Sequence, residues 1–258
     1  MSGILFQKIL FGPIHSRRLG RSLGINLLPE DVKLCTFNCI YCECGWAKTD
    51  KIIYDKLLSK EIIISVLQQR FVELHQQGLE IDSITYSGNG EPTLHPDFAA
   101  ITDELIRLRN KYFPQTVISC LSNSTQLFRH DVFEALQKID NRILKLDAGR
   151  QCTLDLINKP FAPISIDEIT NNLVKFNGDL TIQTLFLRGE SDGRMIDNTT
   201  DEEVEAWLER LKVIKPQKVM MYPIDRETPA KNLKKISKEE METIAEKVQR
   251  LGITTLIY

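Results

Sequence analysis

Short apolar runs recur along this chain, and segments of helical periodicity separate them. The runs cover residues 22–28, 83–87, 116–121, 142–146, 180–187 and 218–222. Such runs suit strands covered on both faces. Alternation of strand and helix on this scale predicts right-handed βαβ units and a parallel sheet. Six units are too few for a closed eight-stranded barrel. The expected fold class is therefore α/β, an open (β/α)6 partial TIM barrel with parallel strands. Residues 253–258, after Gly252, supply a candidate seventh strand.

The helices carry their own punctuation. Ser59 stands where it can cap a helix that stops at Gly78. A second helix follows Pro96, and a third spans about residues 131–139. Ser165 with Glu168, Thr200 with Glu203, and Ser237 with Glu240 each match the capping box. No repeat, linker or low-complexity tract interrupts the chain, so residues 1–258 are expected to form one domain, with residues 1–21 a basic amino-terminal segment leading into the first strand. A hydrophobic fraction of 42%, a charged fraction of 26% and a net charge of −2 are ordinary for a globular protein. They announce no dominant nucleic-acid surface. The absence of a signal peptide or transmembrane run predicts a cytoplasmic protein with no membrane partner.

In a parallel barrel the chemistry sits where strands end. The first strand leads into Leu34-Cys35-Thr36-Phe37-Asn38-Cys39-Ile40-Tyr41-Cys42. In a reducing compartment, clustered thiols mean metal or redox work rather than disulfides. Three thiolates are one fewer than a closed [4Fe–4S] site needs, which would leave one iron open. Zinc and plain buried thiols are the alternatives, but for zinc Cys44 follows Cys42 too closely to make a good fourth ligand, and Cys120 and Cys152 lie far away. Cys44 is read as a neighbouring thiol without a redox task, with hydrogen-atom donation as its alternative role.

The C-x-x-x-C-x-x-C spacing of Cys35, Cys39 and Cys42 resembles the radical S-adenosylmethionine (SAM) superfamily. The resemblance implies that these cysteines bind three irons of a [4Fe–4S] cluster and that SAM chelates the fourth. It implies reductive cleavage of SAM to a 5′-deoxyadenosyl radical, which abstracts hydrogen from a substrate. It also implies an external electron donor such as flavodoxin or ferredoxin. Tyr41, two positions after the second cysteine, would pack near the adenine; an ordinary core aromatic is its alternative. Phe37, Ile40 and Trp46 are expected to form an apolar collar around the cluster.

The remaining strand ends extend the comparison. Ser87-Gly88-Asn89-Gly90-Glu91 resembles the superfamily's Gly-Gly-Glu motif, which implies that Gly88, Gly90 and Glu91 hold the SAM amino group. A tight polar turn is the alternative. Asn123 would reach the ribose, or else cap the next element. Arg188 is expected to meet the SAM carboxylate as a forked donor. For substrate, the candidates are Asp147, Tyr222 and Arg226, together with Arg17 and Arg18 in the basic segment around His15. Their alternatives are pairing of Asp147 with Lys145, a salt-bridged Asp225–Arg226 turn, and a basic turn neutralised by surface carboxylates.

The basic segment, the cysteine loop, Gly88 to Pro96 and Tyr222 to Arg226 together look like one branch of that superfamily. It comprises Fe–S oxidoreductases similar to the wyosine-base (tRNA) biosynthesis enzymes. Those enzymes carry further amino-terminal cysteines for a second cluster, and none precedes Cys35 here. An RNA base therefore stands as an alternative substrate, with Lys231, Lys234 and Lys235 as further footholds. A small molecule or peptide is the other class of substrate, and a non-catalytic metal-binding protein is the last reading.

Overall fold

The computed structural model describes residues 3–47 and 54–258. Its centre is a sheet in which β2 (Gly20–Ile25), β3 (Ser83–Tyr86), β4 (Val117–Ser122), β5 (Asn141–Lys145), β6 (Thr181–Ser191), β8 (Lys218–Pro223) and β10 (Thr254–Ile257) lie side by side in that order. All these pairings are parallel. The expected seventh strand is thus present as β10. The sheet does not close: β1 (Leu10–Ser16) pairs antiparallel with β2 at one edge, and β10 forms the other.

Helices carry the chain from each strand to the next. They are α1 (Lys60–Gln76), α2 (Phe98–Tyr112), α3 (His130–Lys138), α4 (Gln151–Asn158), α5 (Ile166–Val174), α6 (Asp201–Ile214) and α7 (Lys238–Gln249). Helix α1 shows how they pack. Ile63, Leu67, Phe71 and Leu74 recur every three or four residues and are fully buried, so one stripe of the helix joins the core. Gly78 takes φ +65° just beyond α1, a conformation that suits glycine at a helix stop. None of the helices among the described residues is long and apolar enough to cross a membrane.

The capping boxes divide. Ser237 and Glu240 exchange both bonds, at 3.1 and 3.2 Å. Ser165 and Thr200 accept from the backbone, but no return bond completes either box. Glu203 instead turns into the protein. Its buried carboxylate accepts from Gly149 N at 2.6 Å, Arg150 Nε at 2.7 Å and Thr153 Oγ1 at 2.8 Å. Ser59 occupies its cap position without a side-chain cap bond.

Strand β6 runs past the expected end at residue 187. Beyond the core, residues 188–191 pair antiparallel with β7 (Arg194–Asp197) and residues 187–190 with β9 (Asn232–Lys235). This small layer stands beside the carboxyl ends of the parallel strands.

Candidate functional site

The cysteine loop is held on two sides. Leu34 bridges to Gly90, donating its N–H to Asn89 at 2.8 Å and accepting from Glu91 N at 3.0 Å. On the other side Phe37 bridges to Pro160, and Ile40 N donates to the Ile157 carbonyl at 3.0 Å. The glycines in residues 88–90 explain part of this fit. Gly90 adopts φ +137°, and a Cβ there would stand 1.8 Å from the Leu34 carbonyl oxygen. The close backbone approach that its missing side chain permits is therefore to the cysteine loop itself.

Cys35, Cys39 and Cys42 all line one cavity of about 470 Å³. Each thiol has its own neighbour bearing N–H groups. Asn123 Nδ2 donates to Cys35 Sγ at 3.4 Å, and Asn158 Nδ2 donates to Cys39 Sγ at 3.3 Å. Lys33 is buried beside Cys42, its Nζ also donating to the Gly45 carbonyl at 3.0 Å. Burial pushes the Cys35 thiol up to about 12, and raises Cys39 as well. Cys42 lies well below the usual thiol range because Cys44 donates to it and Lys33 stands close. The Cys44 thiol is raised by that same contact with Cys42. Lys33 is held above its ordinary value, the nearby thiols outweighing its burial.

The donor set suits a cluster better than one ion. Zinc draws four ligands to within about 2.0–2.3 Å of a single centre. Among the described residues no three His, Cys, Asp or Glu side chains form such a set. In a [4Fe–4S] cube each thiolate ligates a different iron, so three thiols around a shared cavity match its needs.

The cavity also gathers most of the expected ligand residues. Gly88, Gly90, Glu91, Asn123, Tyr41, Tyr222, Arg17, Arg18 and Arg226 all line it. Glu91 is 1% exposed. Its carboxylate accepts from Thr93 N at 3.1 Å, Thr93 Oγ1 at 2.5 Å and Asn123 N at 2.5 Å. These are neutral donors, and among the described residues no cation pairs with it. Burial accordingly raises its carboxyl above the ordinary 4.5, against the pull of those bonds. A buried carboxylate without a counter-cation is driven toward its neutral form unless a cation reaches it.

Tyr41 sits in a network rather than against open space. Its hydroxyl donates to Asp147 and accepts from Lys145. Asp147 also accepts from Lys145 Nζ at 3.2 Å, Asn158 Nδ2 at 2.8 Å and Leu185 N at 3.0 Å. Asp147 lies beneath the cavity wall, with its side chain 0% exposed, and Lys145 rather than Asp147 lines the cavity. The pairing alternative thus describes the Asp147 contacts. Burial lifts the Tyr41 phenol well above its ordinary range, and Asp147 adds to this. Burial would lower Lys145, yet Asp147, with Tyr222 and Cys39 adding to it, holds its ammonium above the ordinary value.

Three expectations are corrected by position. Arg188 does not line the cavity. Because β6 continues as a ribbon, its guanidinium reaches Glu240 at 2.5 Å, Thr199 at 2.8 Å and Asp197 at 3.4 Å. Trp46 is 41% exposed with Lys159 over its ring, so only Phe37 and Ile40 of the apolar collar are buried. Asp225 and Arg226 do not pair with each other. Arg17 reaches Asp225 at 2.6 Å, and Arg226 reaches Glu43 at 2.8 Å. These pairs tie the β1–β2 turn and the cysteine loop to the segment after β8. Lys33, Asn158, Gln183 and Tyr258 were not foreseen at the site. Lys33, Gln183 and Tyr258 line the cavity, while Asn158 supports Cys39 from α4.

An open parallel half-barrel with three thiols in the loop after its first parallel strand defines a class. The model of the radical SAM superfamily matches residues 32–202, and the chain belongs to that superfamily. It is 31% identical over 242 residues to the protein named GTPase Obg of Brachyspira hyodysenteriae. That match takes in 92% of this chain but spans only 33% of the relative's length. It is likewise 31% identical over 237 residues to a UPF0026 protein of Helicobacter pylori, covering 90% of this chain and 71% of that one.

Solved structures share the fold at low identity. A radical SAM methyltransferase from Sphaerobacter thermophilus superposes with TM-score 0.66 at 14% identity, covering 92% of this chain and 66% of that one. Streptococcus suis SuiB bound to S-adenosylmethionine gives 0.61 at 13% identity, covering 88% and 48%. Archaeal TYW1 gives 0.53 at 16% identity, covering 89% and 72%.

Proposed function

We propose that this protein is a radical SAM enzyme whose Cys35, Cys39 and Cys42 hold a [4Fe–4S] cluster and whose cavity holds SAM. The observation that carries the reading is the meeting, in one cavity, of three thiols with a buried carboxylate that has no counter-cation among the described residues. When bound, the reduced cluster supplies the electron for cleavage of SAM to a 5′-deoxyadenosyl radical that abstracts hydrogen from the substrate. That electron comes from an external donor of the flavodoxin or ferredoxin kind.

The chain's own residues bind, orient and exclude. Glu91 receives the SAM ammonium, and the fixed turn through Gly88 and Gly90 sets its position. Asn123 braces both sides at once, donating its side-chain N–H to Cys35 and its backbone N–H to Glu91. A change at either site is therefore felt at the other. Tyr41, clamped by Asp147 and Lys145, presents a fixed aromatic wall to the adenosine. Phe37 and Ile40 shield the cluster side from water. Tyr222, Arg17, Arg18 and Arg226 line the part of the cavity left for substrate, with Asp147 acting from beneath through Lys145.

The test is anaerobic reconstitution. The wild type should take up about four irons per chain and release methionine and 5′-deoxyadenosine from SAM under reduction. The triple change Cys35→Ala, Cys39→Ala, Cys42→Ala should lose both properties, while Cys44→Ser keeps the iron. Full iron content in the triple variant overturns the assignment.

A further inference from the structure

Each cation that lines the cavity has an anion or acceptor on the protein, with one exception among the described residues. Arg17 is bound to Asp225 and Arg226 to Glu43. Lys145 is paired with Asp147, and Lys33 donates to the Gly45 carbonyl beside the thiols. Arg18 has no carboxylate partner. Its guanidinium carbon lies 5.0 Å from the centroid of the Tyr222 ring, and its Nη1 is buried without any hydrogen-bond partner.

This arrangement is costly as it stands. A buried donor left unmade forfeits its hydration with nothing in return. Stacking on Tyr222 compensates the flat face of the guanidinium. It does nothing for the in-plane N–H groups, whose fork matches a carboxylate or a phosphate. The side chain is thus fixed by an aromatic platform, with a donor that meets no acceptor among the described residues.

We propose that Arg18 is the receptor for a carboxylate or phosphate group on the molecule that the enzyme modifies, so that the substrate is an anion. The proposal rests on the radical SAM reading for what is modified, and on Arg18 and Tyr222 for the charge of what is bound. Arg18 precedes β2 and stacks on Tyr222 of β8, whereas Glu91 follows β3, so the two groups reach the cavity from different elements. A carboxylate on SAM and one on the substrate offer Arg18 the same chemistry, and decarboxylated SAM distinguishes them. The neighbouring Arg17 does not compete for the role. It is 63% exposed and already bound to Asp225 at 2.6 Å.

Inorganic phosphate and acetate are the probes, titrated calorimetrically into reconstituted, SAM-loaded protein. The wild type should bind at least one of them. Arg18→Ala should weaken that binding by at least about tenfold, the loss expected for a hydrogen bond to a charged group. Arg18→Lys, which keeps the charge but loses the fork and the stack, should fall between. Arg17→Ala should weaken it by less than about threefold, as expected for a screened surface charge.

Unchanged phosphate and acetate affinity in both Arg18 variants overturns the proposal, as does a wild type that binds neither. Titrations of SAM and of decarboxylated SAM separate the two sources of a carboxylate. If Arg18→Ala weakens SAM about tenfold and spares decarboxylated SAM, the guanidinium serves SAM and the proposal is overturned. Iron content and SAM binding of the wild type are read in the same samples. A protein that lacks both, yet still binds phosphate through Arg18, overturns the radical SAM reading and keeps the anion site.

Discussion

Removing the carboxylate of Asp147 tests the buried network behind the cavity. Asp147 is wholly inaccessible and takes bonds from Tyr41, Lys145, Asn158 and the backbone of Leu185. Asp147→Ala leaves the Lys145 ammonium, 13% exposed, without its counter-ion. Breaking a buried pair from one side costs about 3–5 kcal/mol. In a chain of this size each kcal/mol moves Tm by about 2–4 °C, so the expected fall is about 6–20 °C. Lys145→Met should cost less, about 1–2 kcal/mol, because Asp147 keeps three other donors. Since the two residues share one interaction, Asp147→Ala with Lys145→Met should recover about 2–3 kcal/mol of the summed single losses.

The assay is urea and thermal unfolding of the reduced, metal-free protein, followed by circular dichroism. The pH dependence has a defined sign. Lys145 is held above its ordinary 10.5, so its stabilisation is fully present below that value and is lost only as pH rises beyond it. The coupling should therefore be flat between about pH 6 and 9. Single costs that add to within about 0.5 kcal/mol would refute the network, and so would a Tm fall for Asp147→Ala of less than about 3 °C.

Two further outcomes follow from the loop after β3. Glu91→Gln should weaken SAM binding by about tenfold or more, measured by equilibrium dialysis, because the ammonium loses its charged partner. The same change should flatten the pH profile of the metal-free protein: a carboxyl raised above 4.5 by burial makes stability fall as pH rises from 4.5 through the raised value, and Gln has nothing to titrate. A pH profile identical to wild type counts against an uncompensated Glu91. Gly90→Ala should cost at least about 2 kcal/mol in a urea melt, since its Cβ would stand 1.8 Å from the Leu34 oxygen at a φ of +137°. Wild-type stability for that variant would show that the cysteine loop does not dock there.

The parallel strands were readable because burial on both faces demands continuous apolar runs, and such runs have few other uses. Residues 116–121 and 142–146 differ from β4 and β5 by a residue at either end. The edge elements were not readable in the same way. Strand β1 is half exposed and contains Gly12-Pro13, which breaks the apolar pattern while a single antiparallel neighbour still pairs it. The continuation of β6 through Arg188, Gly189, Glu190 and Ser191 looks like a polar turn because its partners, β7 and β9, come later in the chain. A strand end at residue 187 holds for the core but not for the ribbon that grows out of it, and Arg188 therefore lies outside the cavity.

The candidate site divides along the same physical line. What local spacing controls was legible: three cysteines within eight residues, and glycines flanking Asn89 before a carboxylate. What depends on contacts far along the chain was not. Tyr41 meets Asp147 across 106 positions, Asn158 reaches Cys39 across 119, and Arg17 finds Asp225 across 208. None of these pairs has a local signature, because hydrogen bonds of this kind impose no periodicity on the sequence. They nonetheless decide how the site divides. Arg17 and Arg18 are adjacent in the sequence and chemically alike, yet Asp225 neutralises one while the other keeps its buried donor on the face of Tyr222. A charge is available to a ligand only when no protein group has claimed it, and that can be read only once distant segments are brought together.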